Sequence, residues 1–164
     1  MEMSQDTAEA IQLKISTFKS RRLKIVHALI ETLKTITCEN GYTQDTKDVT
    51  IDVKGWQDKL AQQCPCIFVV DDIVSIVRRV GKQREYTWTI KLFGVTKEMS
   101  FEAFEEYIAD IEECLEDNNH LCGAASKCEI NQVITDNQMF QNNDIRLFEM
   151  DIQVEYIRCL VNPR

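Results

Sequence analysis

The chain is short of the residues that build nucleotide-binding and catalytic loops. Its 164 residues include five glycines, two prolines and two histidines. So little glycine leaves scant material for a phosphate-cradling loop, and neither G-x-x-x-x-G-K-S/T nor G-x-G-x-x-G occurs. G-x-S-x-G is missing too, and with it the elbow that exposes a nucleophilic serine. His27 lies beside an apolar helical stripe and reads as structural. His120 stands in a loop two residues before Cys122 and resembles a dyad only in sequence. No run approaches the roughly 18 uninterrupted apolar residues of a membrane span. The start, Met1-Glu2-Met3-Ser4-Gln5-Asp6, is polar and acidic, unlike a secretory signal. Folding in the cytoplasm is therefore expected. No repeat, low-complexity tract or Pro/Gly linker divides residues 1–164, which predicts a single domain.

Cations are the minority charge. Lysine and arginine number 19 against 27 acids, a formal net charge of −8. That balance argues against general nucleic-acid binding, because phosphate contact needs clustered cations. Eight of the cations fall into two runs. Lys19, Arg21, Arg22 and Lys24 separate one apolar stripe (Ile11, Ile15, Phe18) from another (Val26, Leu29, Ile30, Leu33). The change of phase predicts two helices or one long bent helix within residues 7–36. This run could touch nucleic acid or an acidic partner, and a solvated face is the preferred reading. The second run, Arg78, Arg79, Lys82 and Arg84, surrounds a turn at Gly81 and gives an acidic protein a basic tip.

What the sequence does have is strict alternation. Tyr86, Trp88, Ile90 and Leu92 alternate with Thr87, Thr89 and Lys91. Phe148, Met150, Ile152, Val154 and Tyr156 alternate with Glu149, Asp151, Gln153 and Glu155. A period of two predicts strands with one face in a core and the other wet or against a partner. Between them, residues 100–118 carry Ser100 as an N-cap, early glutamates, and a stripe of Phe101, Phe104, Tyr107, Ile108, Ile111 and Leu115. Residues 50–53 read as a strand with Val49, Ile51 and Val53 on one face. Residues 55–63, with Trp56, read as a loop or short helix. Residues 66–70 read as a buried strand closed by Asp71-Asp72, and residues 73–93 as a hairpin. Residues 128–134 are a short strand, 136–144 a polar loop and 147–157 the last strand. The expected class is α+β: N-terminal helix or helices, an antiparallel or mixed sheet with a hairpin, one amphipathic helix on the sheet, and C-terminal strands.

Seven cysteines is a high count, and an odd one. Cytoplasmic folding predicts thiols. Cys114 lies on the capped helix and reads as a core residue. Cys38, Cys64, Cys122, Cys128 and Cys159 are the candidates for later oxidation, within or between subunits. Cys64-Pro65-Cys66 and His120-x-Cys122-x5-Cys128 lack the tight C-x2-C knuckle of structural zinc sites, so no metal is expected. Asp71 and Asp72 follow a buried strand, where divalent-metal enzymes place ligands. Neighbours on a strand point to opposite faces, so only one could serve a given site. Glu149, Asp151 and Glu155 share a face, but an i, i+2 spacing of about 6.8 Å is too wide for one metal without other ligands.

A further set of positions carries a family likeness. Leu29-Ile30-Glu31-Thr32-Leu33-Lys34-Thr35-Ile36 runs into Asn40-Gly41-Tyr42. Pro65 then precedes a buried strand, a hairpin ends near Gly94, a helix holds Asp110-Ile111 and Leu115, Thr135-Asp136 lies in a late connection, and a strand closes at Tyr156. Over residues 22–158 this order resembles the tail terminator (tail-completion) proteins of tailed bacteriophages and related contractile particles.

The resemblance implies a small α+β protein without enzyme activity or cofactor. It implies a homohexameric ring that caps the last ring of the tail tube, halts its polymerisation and presents a joining surface to the head-completion (neck) protein. In contractile tails the ring also meets the tail sheath protein. DNA passes through the lumen without specific binding. The location implied is the virion, at the tail end, after assembly in the host bacterial cytoplasm. On this reading Glu149, Asp151 and Glu155 are candidates to line the lumen or face a basic partner. Arg78, Arg79, Lys82 and Arg84 are candidates to contact the tube or a neighbour. Residues 1–21 exceed what the family needs and read as an added helical extension. The family offers no role for the cysteines, for which covalent locking of the ring is one idea. Two alternatives stay open: a metal-dependent hydrolase or nuclease using Asp71 or Asp72, and a non-viral module that binds a peptide along a sheet edge.

Overall fold

A computed structural model describes residues 3–51, 63–136 and 144–159. The N-terminal region forms two helices, α1 (Gln5–Ser16) and α2 (Arg21–Leu33). Each starts at a serine. Ser4 Oγ accepts from the Thr7 N–H and Ser20 Oγ from the Leu23 N–H, satisfying donors that a helix start leaves without partners. The basic run lies across the break and into α2, as the phase change required. Phe18 stacks on His27 at 4.3 Å, which gives that histidine a packing role. Residues 1–21 were expected to be an appended piece. Within them, Ile11 and Ile15 of α1 are buried in the main core, and Lys14 pairs with Glu31 of α2 at 2.7 Å.

Among the described residues five strands follow in one mixed sheet: β1 (Asp48–Thr50), β2 (Cys66–Val80), β3 (Gln83–Lys97), β4 (Lys127–Asp136) and β5 (Ile145–Cys159). Their spatial order is β1-β2-β3-β5-β4. Among the described residues only β1, against β2, pairs in parallel. Helix α3 (Phe101–Asp117) crosses over between β3 and β4, capped by Ser100. The fold is α+β.

The alternating residues do what their period requires. Trp88, Ile90 and Leu92 of β3 and Met150, Ile152 and Val154 of β5 point into one core with Ile25, Leu29 and Leu33 of α2 and Phe104, Tyr107 and Ile111 of α3. Burying each such large side chain contributes about 1.5–3 kcal/mol. A second, smaller cluster of Cys66, Phe68, Val95 and Leu147 lies at one end of the sheet. Asp110 is a buried carboxylate on α3. It accepts from the Thr43 N–H at 2.8 Å and the Thr43 hydroxyl at 2.6 Å, tying the loop after α2 to the core.

Asp71-Asp72 does not end a strand, contrary to the expectation. The ladder between β2 and β3 runs on through a register shift between Asp71 and Ser75. The opposite strand offers backbone partners on both sides of the acidic pair, so pairing resumes despite the break in apolar character. The hairpin is correspondingly longer, two 15-residue strands joined by Gly81-Lys82. Gly81 has φ +58°, which a two-residue turn starting with glycine readily supplies. At the first strand the expected face also fails: β1 ends at Thr50, so Val49 is buried while Ile51 is exposed. Val53, Trp56 and residues 137–143 of the expected polar loop lie outside the described residues.

Candidate functional site

The acidic strip is placed as its period predicted. Glu149, Asp151 and Glu155 are half-buried on the polar face of β5, between β3 and β4. Lys91 of β3 lies 3.3 Å from Glu149 Oε2 and 3.9 Å from Asp151 Oδ1, so the strip is partly neutralised. Pairs this exposed are worth about 1 kcal/mol or less. Across β4, Lys127 is opposite Glu155 and pairs with Glu129. The hydrogen bond and charge of Glu129 hold the Lys127 ammonium above its ordinary range. Asn131 donates to Gln153 at 3.0 Å. The result is a broad hydrogen-bonded polar sheet face.

The four tip cations are exposed, and strand register divides them. Arg79 pairs with Arg84, and Arg84 with Arg158 on β5. Directly paired residues share a face, so three arginines stand abreast across three strands. Arg78 is opposite Glu85, on the other face. Like charges placed directly opposite are destabilising. Among the described residues none of Arg79, Lys82, Arg84 and Arg158 enters a salt bridge.

The other basic run meets this row. Tyr86 and Tyr156, one step further along the same face, stack at 4.8 Å with planes 3° apart. Arg22 donates from Nε to the Tyr156 hydroxyl at 3.3 Å, and its guanidinium lies 4.8 Å from the Trp88 ring centroid. Arg21 donates to the Gly123 carbonyl at 3.1 Å. Together Lys19, Arg21, Arg22, Tyr86, Tyr156 and Arg158 line a cleft of about 640 Å³. Arg158 escaped the sequence reading. A signal was present: it occupies the core-face parity of the last strand, two residues beyond Tyr156, where an apolar residue would continue the pattern.

The opposite charge is concentrated on α3. Glu102, Glu105, Glu106, Glu113, Glu116 and Asp117 are exposed, and the helix holds no lysine or arginine.

All seven cysteines are free thiols, so none of the five disulfide candidates is bridged within the chain. Cys38 and Cys159 are exposed, Cys64 and Cys122 half-buried and Cys128 buried. The hydrogen bond to Asp45 raises the Cys38 thiol above its ordinary value. Burial raises Cys64 and Cys122, and pushes Cys128 up to about 12. High thiol pKa values oppose thiolate chemistry. His120 Nδ1 lies 2.7 Å from the Ser126 carbonyl oxygen, to which it donates, closing its own loop. Among the described residues no group of three His, Cys, Asp or Glu is arranged to hold a metal ion. The side chains of Asp71 and Asp72 lie outside the described residues. No helix among the described residues is long and apolar enough to cross a membrane.

No protein-family model and no curated protein matches the chain.

Proposed function

We propose that this chain is a structural subunit of the tail-terminator type, forming a homohexameric ring that caps a tail tube and offers a joining surface to a head-completion protein. The observation that carries the reading is the long hairpin. At its tip Val77, Arg78, Arg79, Val80, Lys82 and Arg84 are all exposed, and Ile157 beside them is 43% exposed. Arginine is enriched in protein–protein interfaces, and their buried centre is more apolar than the rest of the surface. A ring needs two different complementary surfaces per subunit, and this exposed sheet end is one way to supply the first.

On this reading the hairpin tip meets the tube or a neighbouring subunit, and the acidic sheet face of Glu149, Asp151 and Glu155 faces the DNA passage or a basic partner. Like charge lets DNA pass without holding it. The tail sheath protein is a further partner where the tail contracts, and the virion tail end is the location.

The test is native mass by light scattering over a concentration series, with and without purified tail-tube protein, plus electron microscopy of tube ends. A hexamer, alone or induced on the tube, is expected. A strict monomer that leaves tube ends uncapped would refute the reading and favour a monomeric adaptor. Divalent-metal binding with chelator-sensitive hydrolysis would favour an enzyme instead.

A further inference from the structure

We propose that the cationic end of the sheet receives the acidic face of α3 from a second copy of the chain, in a head-to-tail contact controlled by salt. This names the subunit contact of the ring reading and rests on it.

Three observations converge. Two basic runs that lie far apart in sequence form one surface: Lys19, Arg21 and Arg22 at the start of α2, then Arg158, Arg84 and Arg79 across the sheet end. Set abreast, the three sheet arginines repel one another, a cost that an anionic partner relieves. The complementary surface is on the same protein. α3 is 17 residues long, about 26 Å at 1.5 Å per residue, and its exposed charges are all acidic.

The spacings also agree. Adjacent strands hold the arginines about 4.8 Å apart. Glu102, Glu105 and Glu106 lie at i, i+3 and i, i+4, and Glu113 and Glu116, on the same face two turns further on, at i, i+3; such steps place helix side chains about 5–6 Å apart. Several carboxylates can therefore face several guanidinium groups at once, and guanidinium–carboxylate pairs are the stronger charge-assisted kind.

A chain cannot satisfy this complementarity alone. The other side of α3, with Phe104, Tyr107 and Ile111, is buried against its own sheet, so the acidic side faces away from the molecule. The contact must be between copies, and since it joins unlike surfaces it is heterologous. Such contacts close into rings or grow as filaments. A long nucleic acid is the poorer occupant: it would bring its full charge to a protein of net charge −8, whereas α3 brings a short stretch of carboxylates.

The experiment uses the full chain and two variants. One carries Arg84→Glu and Arg158→Glu; the other carries Glu105→Lys, Glu113→Lys and Glu116→Lys. All these positions are exposed, and circular dichroism checks the fold. Native mass is read in low and high salt. The wild type is expected to associate at low salt and to dissociate by about 0.5 M, where the Debye length is well below its physiological value of about 8 Å. Each variant alone should associate about tenfold or more weakly, because like charges then meet. Mixed in equal amounts, the two should associate again, since each reversed surface finds an opposite one.

A wild type that associates while both variants do so equally well overturns the proposed contact and leaves the ring reading standing. Variants that weaken association without rescue on mixing also overturn it. A wild type monomeric at every salt and concentration overturns it as well, and the ring reading is then decided separately by whether tube ends are capped. Salt-sensitive binding of a short DNA duplex that Arg84→Glu/Arg158→Glu abolishes, without any self-association, would assign the surface to nucleic acid instead.

Discussion

Gly94 is the most demanding position in the sheet, and replacing it by alanine tests the packing beneath α3. It pairs directly with Phe148, and a Cβ at residue 94 would stand 1.9 Å from Phe148 Cε1 and 2.0 Å from Cζ. Ordinary carbon contacts are about 3.5–4.0 Å, so the ring would have to retreat by roughly 1.5–2 Å. It has nowhere to go. Phe148 is 1% exposed, with the Phe104 and Tyr107 rings 6.3 and 6.2 Å away. Pushing into them is overpacking, at about 1–3 kcal/mol, and leaving the core approaches a Phe→Ala loss of about 3–5 kcal/mol. Alanine recovers about 0.5–1 kcal/mol by restricting the unfolded chain. The expected net cost of Gly94→Ala is about 2–3 kcal/mol, read by urea denaturation followed by circular dichroism. In a Phe148→Ala background the same substitution should be neutral or slightly stabilising, because the ring is gone. A neutral Gly94→Ala in the wild type, or an equal cost in both backgrounds, would refute the reasoning.

Further outcomes follow from the buried and paired groups. Burial alone would raise the Glu31 carboxyl, but the Lys14 and Lys34 ammonium groups outweigh it and hold the pKa below 4.5. A depressed folded value means stability that is present above about pH 4.5 and is lost as the pH falls through the folded pKa. Glu31→Gln should therefore lower stability at pH 7 and flatten its acid limb, measured as denaturation midpoint against pH. Asp110→Ala should cost about 1–3 kcal/mol, because two Thr43 donors lose their acceptor, and should speed hydrogen exchange at the Thr43 amide. Maleimide labelling of the native protein at pH 7 should reach Cys38 and Cys159, while Cys66, Cys114 and Cys128 react only after unfolding. Mass spectrometry reads each site, and rapid native labelling of Cys128 would contradict its burial.

The parts of the fold legible in sequence are those whose signals are local. Alternation at residues 86–92 and 148–156 is a property of each strand alone, so both were identified with the right face inward. The cap at Ser100 and the stripe behind it are equally local, and α3 starts where they place it. Asp71-Asp72 misled because strand continuity there depends on β3, which supplies partners from elsewhere in the chain. Gly94 was seen only as the end of a hairpin. Its reason is the Phe148 ring, which sequence places more than fifty residues away.

The charged surface was legible in its residues and not in its shape. Each basic run was visible, yet whether Arg79, Arg84 and Arg158 stand abreast depends on register. A slip of one residue in either pairing would send one arginine to the opposite face. Register is set by the two-residue turn at Gly81-Lys82 on one side and by the long β3–β5 pairing on the other, and only the first is a local signal. The net charge misdirects in the same way. A value of −8 describes the whole chain, while binding responds to the local field. Here α3 and the polar sheet face hold much of the excess acid, and the sheet end beside α2 keeps a cationic surface. Segregating charge in this way makes the molecule polar end to face. A polar molecule of one kind associates most readily with copies of itself turned so that unlike surfaces meet, so reversing one surface should abolish association and reversing the matching surface on a second chain should restore it.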